Sequence, residues 1–419
     1  MNAEQLREVL ERAADPVPRP DLARTALVTA TATRRKRTAL TATAAAAVLV
    51  ATVTVGVSLG GGETREGPVA PRPSPTSGSP GLFDATPPPI GLDVIQPRWD
   101  PRDVSTLPTR NIGLPSSLTP PTEVEPLAGI DAGLGLVDDR QRLFVVDGSG
   151  AWAKLDYPEP PVEQYTDPAV LTVDGSRVVF AGRTALWSHD VRGAAWQPVP
   201  YPDEFVALGG YGVQLVPDGP DGLWMSRGGR ALTWYVDLAD GSVDRRDVAL
   251  ETATWAPERG LVRVGLTSRP DQNRYLTVGT PGADEEIWRT YVLAALTGLA
   301  ADEASLAAAR GVGGWSGNRG PAEQNGLIAL RLDDLATRAY LPIPDPNYWY
   351  TDAGALSALS WLDGDTVLAS VVPQDTGGSE TGTRYLFTWD VTTGELRLVA
   401  DLPARFGLSV SRVGLGQTS

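Results

Sequence analysis

A hairpin pattern returning at blade-sized intervals, further strand candidates between its copies, and 45 Gly and 36 Pro in 419 residues predict an all-β chain. Its body reads as a six-bladed β-propeller, or a seven-bladed one if residues 94–127 hold another strand pair. Ahead of the propeller, at 128–419, the sequence predicts a short helical cytoplasmic tail (1–38), one transmembrane helix (39–60) and a Pro-rich extracellular linker (61–127).

In the tail, EQLREVLERAA (Glu4 to Ala14) puts Leu6, Val9, Leu10 and Ala13 on one helical face, a shape suited to a cytoplasmic partner. Asp21 is placed to N-cap a second segment running to Thr33, so the possible partner surface is residues 1–33. The block Arg34, Arg35, Lys36, Arg37 then precedes Ala39 to Gly60, a run of uncharged residues. A span needs roughly 20 mainly apolar residues, and the basic block places the N-terminus in the cytoplasm and the rest outside the cell. A cleaved signal peptide is the competing reading, but the leader is long and no A-x-A site follows directly.

Residues 61–127 are rich in proline, clustered in PVAPRPSPTSGSP and ATPPPI, a composition that favours extended, uncollapsed chain. Around DVIQPRW and NIGLPSSL apolar residues return, and this part is expected to lie along the domain surface. The sequence of short helix, Pro-rich break, basic block, Ala-rich span and long exported domain resembles actinobacterial membrane proteins associated with extracytoplasmic-function sigma factors. That resemblance implies a sigma-factor regulator acting through the tail.

The clearest repeat is YLFTWDVTTGELRLV, Tyr385 to Val399, in which two alternating runs flank the turn TTGE. Five segments align with it at the position of Asp390: LFVVDGSGAWAKL at Asp147, LWSHDVRGAAWQPV at Asp190, TWYVDLADGSVDRRDV at Asp237, TYVLAALTGLA at Ala294 and LRLDDLATRAYLPI at Asp333. SRVVFAG, GLWMSRG, GLVRVGLTS and DTVLASVV supply further strands, and FVALGG and ALSALSW read as innermost strands. The first unit lacks a strand, which RFGLSVSRVGLG (Arg405 to Gly416) is expected to provide by closing the ring. WDVTTGEL resembles a WD40-type repeat, and the body as a whole is similar to exported WD40-like or TolB-type propellers.

With no Cys in the chain, disulfides, thiolate metal sites and thiol nucleophiles are excluded. A net charge of -15, borne by the body, argues against nucleic acid as a ligand. His189 is the only histidine, so a multi-histidine metal site is excluded too; it reads as a structural or surface residue. The carboxylate groups Asp138/Asp139, Asp284/Glu285/Glu286 and Asp333/Asp334 read as solvated turns rather than calcium ligands. Trp187, Trp234 and Trp389 read as packing between blades.

Tyr348, Trp349 and Tyr350, in PDPNYWYTD, are the candidate binding residues, because a Pro-rich connection can present aromatic rings on one face of the ring. No catalytic residue, cofactor or metal is predicted. The expected function is a membrane-anchored extracellular propeller that binds a protein, peptide or cell-wall ligand at a propeller face without catalysis. An exported hydrolase or lyase acting on cell-wall or extracellular carbohydrate is the alternative.

Overall fold

A computed structural model describes residues 82–83, 90–124, 130–160, 169–193, 195–207, 213–227, 232–246, 250, 252–266, 274–279, 286–290, 294–312, 325–343, 356–373, 382–411 and 415. The chain divides into compact units Met1–Thr76 and Ser77–Ser419, and every described residue belongs to the second. The tail, the 39–60 span and the aromatic triplet 348–350 lie outside the described residues. Among the described residues no helix is long and apolar enough to cross a membrane.

Alternating strand-forming runs separated by turn residues fold into six blades of four antiparallel strands, one of which gains a fifth, parallel strand at its outer edge. In chain order, β1 (Leu82–Phe83) is a two-residue strand added to the edge of blade 4, and β2 (Gly135–Asp138), β3 (Leu143–Val146) and β4 (Trp152–Leu155) begin blade 1. Blade 2 holds β5 (Ala169–Leu171), β6 (Arg177–Ala181), β7 (Ala185–Asp190) and β8 (Gln197–Pro200). Blade 3 follows a short helix α1 (Asp203–Ala207), with β9 (Val213–Asp218), β10 (Gly222–Arg227), β11 (Thr233–Asp237) and β12 (Val243–Arg246). Blade 4 comprises β13 (Thr252–Ala256), β14 (Gly260–Leu266), β15 (Arg274–Gly279) and β16 (Glu286–Thr290). Blade 5 is β17 (Ala294–Ala301), β18 (Ser305–Val312), β19 (Asn325–Arg331) and β20 (Thr337–Ile343). Blade 6 is β21 (Leu356–Trp361), β22 (Thr366–Val371), β23 (Thr383–Asp390) and β24 (Leu396–Pro403). Finally β25 (Gly407–Val410) pairs antiparallel with β2, completing blade 1 from the far end of the sequence.

The ring is therefore six-bladed, and the closing strand falls where the sequence placed it. β25, β5, β9, β13, β17 and β21 touch one another in that order around the axis, so they are the innermost strands. Apolar residues of alternate register fill the seams between successive blades. Among the described residues the seam of blades 5 and 6 is the largest, built on Trp361, Phe387 and Trp389, and the seam of blades 3 and 4 the smallest, built on Val216, Trp224, Leu250 and Leu261.

Two elements differ from expectation. AALTGLAA is the innermost strand of blade 5, and the outer hairpin of blade 4 is β15–β16 instead. Small residues suit the crowded position: Gly298 has φ 55°, and a Cβ there would sit 2.7 Å from the Ser357 Cα of blade 6. Phe205 to Ala207, the described part of FVALGG, are helical rather than an innermost strand; Phe205 and Val206 donate their N–H groups to the Pro202 carbonyl as α1 begins, with Asp203 and Glu204 in its first turn. Phe205 is then buried, stacked on Tyr201 at 4.6 Å and edge-on to Trp234 at 5.1 Å.

The later linker residues form a strap around the rim. β1 runs parallel to β16; Ile95 bridges Tyr340 of β20; Thr109 and Ser117 bridge Leu398 and Asp401 of β24. Backbone bonds hold it, among them Gln96 N–H to the Tyr340 carbonyl (2.9 Å), Arg110 N–H to Leu398 (2.7 Å) and Leu118 N–H to Asp401 (2.7 Å). Between these bridges Trp99, Val104, Ile112, Leu114 and Leu118 enter the seam cores. Gln96 locks onto the WDVTTGEL hairpin, accepting from Trp389 Nε1 (2.6 Å) and donating to the Val391 carbonyl (2.9 Å). The strap thus supplies a partner for the outer edges of blades 4, 5 and 6, which would otherwise expose unpaired backbone. Elsewhere the rim carries other protection: Pro198 and Pro200 in β8, exposed Asp244, Arg245 and Arg246 in β12, and Lys154 in β4.

Ending the chain before Arg405 removes β25, and the expected result is loss of the single cooperative thermal transition, read by circular dichroism. Leu118→Ala empties a fully buried strap position and is expected to cost about 2–5 kcal/mol, measured as a lowered urea midpoint with unchanged slope.

Candidate functional site

The antiparallel order sorts the connections between two faces of the ring. Turns joining first to second and third to fourth strands lie on one, here the turn face; second-to-third and blade-to-blade connections lie on the other.

The turn face is built from aspartates that close their own turns. Asp147 accepts from the N–H groups of Ser149 and Ala151, Asp190 from Arg192, Asp237 from Ala239, Asp334 from Ala336, and Asp390 from Thr392 and Thr393. Asp174, Asp302 and Asp363 do the same in the inner turns of blades 2, 5 and 6. Burial works to raise the Asp174 carboxyl, but hydrogen bonds from Ser176 and Thr172 outweigh it and hold it below the ordinary carboxylate range. The Ala336 N–H and Arg331 likewise lower Asp334. At Asp302 burial prevails and the carboxyl is raised.

Arginines on this face tie blades together at three of the six seams. Arg177 of blade 2 lies 3.3 Å from Asp221 of blade 3 and donates to the Leu238 carbonyl. Arg259 of blade 4 donates to Asp333 and to the Glu303 carbonyl of blade 5. Arg338 of blade 5 pairs with Asp365 of blade 6 at 2.7 Å, donates to the Gly364 carbonyl, and lies over Trp361. Such forks bond two acceptors at once and fix geometry as well as charge.

Along the axis the inner edges are sealed blade to blade: Leu171 N–H donates to Ser409 Oγ at 3.0 Å, and Val173 N–H to the Gly219 carbonyl. Of the residues in the six innermost strands, Asp218 is the one acid or base, at the end of β9, where it accepts from Trp224 Nε1 at 2.7 Å.

The residues singled out by sequence fall as follows. Asp138 accepts from Arg140 N–H and from the Tyr157 hydroxyl, and burial followed by the Asp138 charge pushes the phenol up. Asp139 accepts from Gln141 and Arg142 N–H groups, and Asp333 pairs with Arg259. Among the described residues no group of three or more His, Asp or Glu could hold a metal. Trp234 and Trp389 are buried in seams, whereas Trp187 is half-buried and donates to Glu159 at 2.7 Å. His189 lies in the seam of blades 1 and 2. Tyr348, Trp349 and Tyr350 fall between β20 and β21, outside the described residues. The interblade arginines were not foreseen, because each acts on a turn about 25 to 75 residues away, brought near only by the closed ring.

No protein-family model and no curated protein matches the chain. Among solved structures it is similar to TolB from Acinetobacter baumannii, at 12% identity over 65% of this chain and 67% of that one, with a TM-score of 0.41. It is similar to the Pan2 WD40 domain of Neurospora crassa, at 9% identity over 74% and 81%, with a TM-score of 0.38. Both likenesses are of fold alone.

Arg338→Ala removes an interblade fork, and the expected cost is about 1–3 kcal/mol, read as a lower thermal midpoint; a loss equal to that of Arg397→Ala, whose guanidinium pairs within its own blade with Glu395, would show that the crossing of the seam contributes nothing.

Proposed function

We propose that this chain is a single-pass membrane protein whose propeller stands outside the cell and binds a protein or peptide through one face of the ring, without catalysis. The observation that carries the binding reading is the construction of the ring itself. The innermost strands carry Asp218 as their one charged residue, and on the turn face carboxylates and arginines are held by backbone bonds and interblade forks. A surface ordered before binding loses little conformational entropy when a partner docks. The membrane reading rests on the uncharged run Ala39 to Gly60 behind Arg34, Arg35, Lys36 and Arg37.

Two measurements test the two parts separately. The full chain is expected in the membrane fraction, with residues after 60 digested by protease added to intact cells; recovery in culture medium, or protection from protease, overturns the tether. A photo-crosslinking residue at Ser149 or Ala239 on the turn face, compared with Arg183 on the other, is expected to capture one discrete partner from one face alone. Equal capture from both faces, or none from either, overturns the binding reading.

A further inference from the structure

We infer that His189 is an acid-sensitive lock on the seam between blades 1 and 2: the seam closes around the neutral imidazole, and a proton on that ring loosens one blade from the other. The residue lies on β7 opposite Val178, whose side chain belongs to the seam core with Leu136, Leu143 and Val145 of blade 1. Only 4% of its surface is exposed. Its ring stands edge-on to Trp196, with centroids 5.1 Å apart and planes at 74°.

Trp196 carries the contact across the seam. Its Nε1 donates to the Asp156 carbonyl just beyond β4 at 3.0 Å, and Phe180 links it to Tyr157, which is tied to Asp138. Protonating His189 therefore acts on a cluster drawn from both blades. Nδ1 of His189 is buried without a hydrogen-bond partner. In the neutral ring that nitrogen can remain a bare acceptor at modest cost. The imidazolium makes both nitrogens donors and adds a charge to an apolar seam, and an unpaired buried charge costs far more than an unpaired acceptor.

Apart from Asp190, whose main chain and carboxylate favour the charged ring, the charged groups on the surrounding elements are engaged elsewhere. On the same strand, exposed Asp190 accepts from Arg192 N–H in its own turn. Arg177, opposite Asp190 on β6, pairs with Asp221 of blade 3, and Arg192 pairs with Asp131. On the blade 1 side Lys154 faces Asp156, and Asp138 holds Tyr157. Burial accordingly pushes the imidazole below its ordinary range, against a smaller upward pull from the Asp190 main chain and carboxylate. A group lowered in this way contributes stability that is present above the unfolded value of about 6.5 and is lost as pH falls toward the folded one. The ordinary carboxylate range lies at about 4, well below the window in which an imidazole titrates.

The test uses the full chain in detergent micelles. Because the protein has one histidine, imidazole labelled with carbon-13 gives a signal from this site alone. The expected midpoint lies below about 6.5, and between pH 7 and pH 5.5 the thermal midpoint of the native protein falls by at least about 2 °C more than that of His189→Phe. A titration midpoint at or above the ordinary value, or equal thermal losses in both proteins, overturns the proposal. Should His189→Phe not fold, amide exchange of the native protein decides: corrected for intrinsic rates, it must rise on acidification in 152–157 and 178–199, and unchanged protection there overturns the lock.

Discussion

Four residues, Gly407–Val410, join the two ends of the ring, and they do so with main-chain hydrogen bonds to Gly135–Asp138. With no cysteine in the chain, no covalent link shares that task. Every seam depends on this pairing, because a blade packs well only when both its neighbours are present. The closure places the innermost strand of blade 1 at the greatest sequence distance from its partners, a costly contact to form and one that rewards only a complete ring. Arginine forks at the seams of blades 2 and 3, 4 and 5, and 5 and 6, and the Leu171–Ser409 bond between blades 1 and 2, add polar contacts to the apolar packing there.

The strap is the second half of the same solution. A propeller blade ends in an outer strand with unpaired backbone, and half of these edges are covered by the chain's own residues 82–83 and 90–118. Trp99, Ile112 and Leu118 anchor the strap in the seams, and Gln96 ties it to the indole of Trp389. The segment binds as an added parallel strand where its backbone matches the rim and as a set of buried side chains where it does not.

How much of this could be read from sequence follows from which interactions are local. The hairpin Tyr385 to Val399 declares itself, since alternation and the Asp390 turn both lie within a few residues. AALTGLAA shows a strand but not its rank, because period-two alternation is the same for the first and third strands of a sheet; only the approach of Gly298 to Ser357 reveals the inner position. FVALGG is overruled by the turn at Pro202 and the acids after it. The strap is masked by its proline content, which signals extension correctly yet says nothing of what the intervening Trp99 and Leu118 touch. Arg259 and Arg338 give no local signal, being ordinary turn and strand residues until the next blade arrives. His189 reads correctly as structural, but its bare Nδ1 is a property of the far side of the seam.

The strap also determines how the molecule carries load. Tension on the chain upstream of Leu82 does not reach β2 directly. It meets first the two-residue pairing with β16, then the contacts at Tyr340 and Pro342, then those at Leu398 and Asp401. These attachments come in series along the rim, each behind the last, so a tug is absorbed by peeling one before the next is strained. The bonds of the ring proper are last in line, so a pull from before Leu82 is spent on the rim attachments before it reaches the blades.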